Sequence, residues 1–263
     1  MTGTGVPPDA GTESGSAESG SAELGSAESG SAELGFAELA DPDCLRPGES
    51  AELLAGHPWR RFVVLGDSVA NGPTEPVEGF SRLRWTDRVA AELRAASPPL
   101  RYLNLGVSGL LTREVRTGQL ADALAFEPDL ALVLCGGNDA FRRGYAGAVA
   151  DGVAAELSAM LAQLRAAGAQ LATIGLFDVS HSPAVPERFR LELRERLALL
   201  AEHARQLARR HDTVHSDLSR HRRTADPTLY SGDGRHGNAR SDAIAAAELV
   251  RRLGDRLRRD RHA

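Results

Sequence analysis

The sequence predicts an α/β protein with one parallel β-sheet covered by helices on both faces. Apolar, β-branched runs that stop at glycine alternate with stretches of helical periodicity from residue 61 to 257. The third apolar run is hydrophobic enough to be covered on both sides, as a central parallel strand is. The helical stretches are long enough for the right-handed crossovers that join parallel strands.

Each element has its own signal. ESAELLAG (49–56) reads as a short helix stopped by Gly56. RFVVLGD (61–67) is the first strand, apolar up to Gly66. FSRLRWTDRVAAELRAAS (80–97) has a helical period, with Trp85 on its core face. LRYLNLGV (100–107) is the second strand and LTREVRTGQLADALAF (111–126) the next helix. PDLALVLCGGND (128–139) is the third strand. AGAVADGVAAELSAMLAQLRAAG (146–168) is a long helix ended by Gly168. AQLATIGLFD (169–178) is the fourth strand, PERFRLELRERLALLAEHARQLARRH (186–211) the longest helix, and DTVHSDL (212–218) a short fifth strand. NARSDAIAAAELVRRLGDRL (238–257) closes the fold as a helix.

Composition bounds the rest. The chain has 263 residues and 42% hydrophobic content, enough for one domain plus an appendage. The appendage is visible. From Gly15 the chain repeats GSAES and GSAEL, which cannot bury enough apolar area to offset the entropy of ordering. Residues 1–43 are therefore expected to be a disordered acidic tail, and residues 44–263 the folded domain. A net charge of −5 lacks the basic face of a nucleic-acid binder. The basic C-terminal stretch RRLGDRLRRDRHA keeps leucines at helical spacing and reads as the solvated end of an amphipathic helix. Cys44 and Cys135 make no disulfide framework. The N-terminus has neither the basic nor the apolar part of a secretory signal, and no run is long enough to span a bilayer, so a cytoplasmic location is expected.

In parallel sheets functional groups gather where strands end. Four such places stand out. The first is Gly66-Asp67-Ser68, where a serine follows a strand directly; Asp and Ser are also common helix caps. The second is NLGVSG, where Gly109 lets backbone approach a ligand. The third is CGGND, where Asn138 offers a donor that never titrates, suited to an oxyanion, although an Asx turn fits equally. The fourth is YSGDGRHGN, where Asp233 and His236 lie three apart in a glycine-punctuated loop. Such a loop can bring the carboxylate to the imidazole Nδ1 and leave Nε2 to face a serine. A metal half-site is the alternative there, and no companion cluster of ligands supports it.

These four blocks, in this order, resemble the SGNH, or GDSL, hydrolase superfamily over roughly residues 60–260. The resemblance implies a flavodoxin-like three-layer α/β/α sandwich with a five-stranded parallel sheet. It implies Ser68 as nucleophile, His236 as general base and then acid, and Asp233 as its orienter. It implies an oxyanion hole from the Ser68 and Gly109 amides and the Asn138 side chain. No cofactor or metal is implied, and the partner is a small-molecule or acyl ester. Two departures stand out. Gly237-Asn238 replaces the family's frequent Pro-Asn after the histidine, which is expected to loosen the approach to the last helix. Val69 replaces a common leucine, a packing change.

Other residues are assigned secondary parts. Asp67 adjoins the nucleophile and is expected to bind loop amides. His181, Arg142, Arg143 and Tyr145 follow strand ends and are candidates to shape the substrate pocket, although His181 reads more readily as an exposed loop histidine. Asp178 and Asp217 read as turn formers and His215 as a packed strand histidine. Three functions compete: an ester hydrolase, an acyltransferase passing the acyl group to a sugar or natural-product hydroxyl, and a binding module that keeps the fold. The intact Ser68, Asn138, Asp233 and His236 weigh against the last. A small acyl ester is favoured over a long-chain lipid because no strongly apolar lid is evident. Chain length, the alcohol part and oligomeric state stay open.

Overall fold

A computed structural model describes residues 35–262. Strands β1 (Arg61–Gly66), β2 (Arg101–Asn104), β3 (Leu130–Leu134), β4 (Gln170–Gly175) and β5 (Val214–Asp217) form one parallel sheet in the order β2-β1-β3-β4-β5. The chain order reverses between β1 and β3, the place where open parallel sheets bind ligands.

Period-two alternation divides the core into two layers. Val63, Leu65, Ala131 and Val133 face one way, under helices α5 (Thr112–Ala125), α7 (Gly147–Ala166) and α8 (Glu187–Arg210). Phe62, Val64, Leu130 and Leu132 face the other, under α4 (Trp85–Ala96) and α9 (Ala239–His262). The five-stranded α/β/α sandwich is thus as expected.

The short helix expected at 49–56 forms as α2 (Glu49–Leu53), and the differences lie at element ends. β3 stops at Leu134, and Gly137–Phe141 form a short helix, α6, where the sequence suggested more strand. The helix predicted from residue 80 starts at Trp85, and α9 continues through the basic end to His262. Cys44 is buried, Cys135 partly buried, and both are free.

The expected tail falls mostly outside the described residues. Its last part, residues 35–43, packs on the domain. Helix α1 (Phe36–Ala40) carries Glu38, only 4% exposed, whose carboxylate accepts from the Arg88 guanidinium on α4 and from the Ser81 N–H at 2.9 Å. Asp41 accepts from Arg240 Nε at 2.7 Å. Asp43 accepts from Arg222 and Arg223 at 2.7 and 2.8 Å. Among the described residues, no helix is long and apolar enough to cross a membrane.

Candidate active site

The first strand delivers the serine. The ladder ends at Gly66, and its N–H and C=O are both taken by the Gln119 side chain at 2.9 Å. Gln119 is 4% exposed on α5, so it holds the strand end as a neighbouring strand would. Asp67 then accepts from the Val69 N–H at 2.9 Å and caps helix α3 (Ser68–Asn71). The cap and the presented serine coexist: Asp67 caps, and Ser68 is left partly exposed at the first helical position.

The loop before α9 brings the histidine. Ser68 Oγ lies 2.7 Å from His236 Nε2, and His236 Nδ1 lies 2.6 Å from Asp233 Oδ2. The other Asp233 oxygen accepts from Ser231 Oγ at 2.6 Å, the Arg235 N–H at 2.8 Å and the His236 N–H at 3.0 Å. Burial alone raises the Asp233 carboxyl; the bonds from His236, Ser231 and the two backbone amides outweigh it and hold it well below the usual carboxylate range.

The approach to α9 is not loose despite Gly237. The Asn238 side chain donates to Thr228 O at 2.8 Å and accepts from the Arg240 and Ser241 N–H groups at 3.1 and 3.3 Å, as a cap does.

The middle blocks supply donors. α6 follows Gly136, whose φ of +108° is the left-handed turn that lets the chain leave β3 and begin a helix at once. Asn138 on α6 points its amide nitrogen at Leu110 O, 3.0 Å, and Asp67 Oδ2, 3.4 Å. Asp139 accepts from the Thr112 N–H and hydroxyl at 2.9 and 2.8 Å, tying α6 to the start of α5. That tie draws the NLGVSG and GGND loops together. Gly109 has φ +85°. Among the described residues the N–H groups of Ser68 and Gly109 donate to no other protein group. Asp67 is 1% exposed, and this burial pushes its carboxyl up to about 6 against the Val69 N–H and the nearby His236.

Ser68, Asp67, Asn138 and His236 border one cleft, a cavity of about 110 Å³, whose lining does not include Gly109 or Asp233. Its polar end holds Thr74, Arg84 and Asp242, where Asp242 accepts from the Thr74 hydroxyl at 2.7 Å. Its apolar side includes Phe141, Leu176, Phe177 and Leu197. Arg235 stacks its guanidinium over Phe141 at 5.4 Å, joining the histidine loop to α6 across the cleft. The expected pocket-shaping residues do not line it. Arg142 and Arg143 face solvent, and Tyr145 is buried at 3% exposure. His181 lies 3.6 Å from Asp178 beyond the cleft. His215 packs in the sheet against the Thr173 hydroxyl at 2.9 Å, and Asp178 caps a turn through the Ser180 N–H.

The profile of the GDSL-like lipase/acylhydrolase family matches residues 64–244, a span that contains all four blocks. The chain belongs to the GDSL-like lipase/acylhydrolase family. As a member it is an ester-acting hydrolase. Solved structures agree in fold. A protein from Parabacteroides merdae described as a GDSL-like lipase superposes with a TM-score of 0.61 at 20% identity, over 74% of this chain and 95% of its own. An acetylxylan esterase from Geobacillus stearothermophilus, solved as a catalytic mutant, gives 0.60 at 18% identity over 76% and 95%. A lipase/acylhydrolase from Enterococcus faecalis gives 0.57 at 20% identity over 75% and 96%. At these identities the likeness is one of fold. No curated protein matches the GDSL-like chain by sequence.

Proposed function

We propose that this GDSL-like hydrolase is a serine esterase that cleaves a carboxylic ester through an acyl-enzyme on Ser68. The observation that carries the proposal is the unbroken line from Ser68 Oγ to His236 Nε2 at 2.7 Å and from His236 Nδ1 to Asp233 at 2.6 Å.

A serine hydroxyl attacks an ester only if its proton leaves as the new bond forms. Histidine is the side chain that exchanges a proton near neutral pH, and Nε2 is within reach of Oγ. Asp233 keeps the Nδ1 proton in place and stabilises the imidazolium. The former carbonyl oxygen becomes an anion, met by the free amides of Ser68 and Gly109 and by the Asn138 side chain. When the intermediate collapses, His236 returns the proton to the leaving alkoxide, and the alcohol departs. Water then repeats the sequence: it loses a proton to His236, attacks the acyl-enzyme and releases the acid and free Ser68.

Two variants test the reading. Ser68→Ala and His236→Ala should each abolish turnover of a p-nitrophenyl ester while leaving thermal unfolding unchanged. A fluorophosphonate should label the wild type and not Ser68→Ala; equal labelling of both overturns the proposal.

A further inference from the structure

Beyond the serine, the cleft is bounded by hydrocarbon. Ile174 at the end of β4, Leu176 just after it and Leu197 on α8 line it. Leu176 and Leu197 also line a second cavity, about 30 Å³, between the sheet and helices α7 and α8. They are therefore the partition between the two spaces. The remaining walls of the inner chamber are predominantly apolar and include Leu157 and Leu161 of α7 and Leu200 and Leu207 of α8. Its one lining hydroxyl, Thr173 Oγ1, is already engaged with Thr213 and His215 at 2.9 Å each. A buried water needs two to four polar partners, and this largely apolar lining favours hydrocarbon over water.

The partition also touches the catalytic loop. A Cβ on Gly137 would stand 3.1 Å from Leu176 Cδ1, and one on Gly136 would stand 2.8 Å from Leu200 Cδ1. The two glycines before Asn138 are thus the floor on which these leucines rest. Leu176 and Leu197 line the same cleft as Ser68, and beyond them lies more apolar room.

We propose that Leu176 and Leu197 form the stop that sets acyl-chain length, making esters of short straight-chain acids the substrate class. The inference rests on the acyl-enzyme reading above. A chain that reaches the wall has to displace packed side chains, and one methylene group in such a pocket changes kcat/KM by about 10- to 200-fold. Longer acids are rejected by the wall, and the inner chamber is latent room that they reach once the wall is cut back.

The experiment is a chain-length profile of kcat/KM on p-nitrophenyl acetate, butyrate, hexanoate and octanoate. The wild type should fall at least about tenfold between butyrate and octanoate. Leu197→Ala should raise the octanoate-to-acetate ratio at least about tenfold by joining the two cavities. Leu176→Ala removes the wall from a partly buried loop position outside the helix and should act in the same direction, so it decides the question if Leu197→Ala does not fold. Adding Ala204→Leu to Leu197→Ala refills the chamber and should restore the short-chain profile. A flat wild-type profile overturns the inference, as does an unchanged ratio in the folded wall variants. Fluorophosphonate labelling in parallel separates the two levels. Labelled protein with an unmoved profile sinks the wall alone, whereas unlabelled wild type sinks the serine mechanism and the wall with it.

Discussion

Replacing Asp233 by asparagine exchanges one oxygen for an amide nitrogen, and the loop decides which one. One carboxylate oxygen accepts from Ser231 Oγ, the Arg235 N–H and the His236 N–H at 2.6, 2.8 and 3.0 Å. The other faces His236 Nδ1 at 2.6 Å. An asparagine must keep its oxygen toward this cluster, because an NH2 there would oppose the two backbone N–H groups, while the Ser231 hydroxyl can turn either way. Its NH2 therefore points at Nδ1. Nδ1 can then only accept, the imidazole proton moves to Nε2, and Nε2 faces Ser68 Oγ at 2.7 Å as a donor. A protonated Nε2 cannot take the serine proton. The same tautomer trap in a serine protease costs about 10⁴ in kcat, or roughly 5 kcal/mol of transition-state stabilisation. Saturation kinetics on p-nitrophenyl acetate should show Asp233→Asn losing kcat on that scale with KM and thermal midpoint little changed. A folded Asp233→Asn enzyme that loses less than about tenfold would refute the argument that the clamp on one oxygen fixes the tautomer.

Three further outcomes are expected. Asn138→Ala removes one oxyanion donor and should lower kcat by about 10² to 10³ with a small change in KM, read from the same kinetics; equal, small changes in both would count against its role. Asp67→Asn tests a stability trade. Burial raises the Asp67 carboxyl from 3.8 to about 6, so its contribution to stability is present while it is protonated, below the unfolded value, and is lost as pH rises through about 6. Asparagine avoids that loss and keeps the Val69 bond, so the variant should gain up to about 3 kcal/mol at pH 8 and nothing at pH 4, by urea unfolding. It should lose kcat as well, because its NH2 would oppose the Asn138 amide 3.4 Å away. Glu38→Ala leaves Arg88 buried without its anion and should cost about 3–5 kcal/mol; a cost below about 1 kcal/mol would show that α1 is not anchored by that pair.

Much of the fold was legible because two periods, 2 and 3.6, write their burial directly into residue order. Val63 and Phe62 announce a strand buried on both faces whatever packs on it. The five residues of α6 escaped because so short a helix has no period, and the apolar Cys135-Gly136-Gly137 reads as more strand. Residues 35–43 escaped for another reason. Their composition continues the repeat, and their anchoring depends on Arg88, Arg222 and Arg240, distant in sequence. The four signature blocks were visible, since three follow strand ends directly and the fourth is a glycine-punctuated loop just before α9. Gln119 and Ser231 were missed: a lone polar residue shows its role only when the backbone it serves is beside it. Adjacency in sequence also misled. Arg142, Arg143 and Tyr145 follow Asn138 closely, but α6 turns Phe141 into the cleft and carries those three past it.

The most direct test is to quench the enzyme rapidly with p-nitrophenyl acetate and map the adduct by peptide mass. The account predicts one acyl group, on the peptide containing Ser68, absent from Ser68→Ala and longer-lived in His236→Gln if any forms there. Turnover with no covalent species at any quench time, or an acyl group carried on another residue, would contradict it.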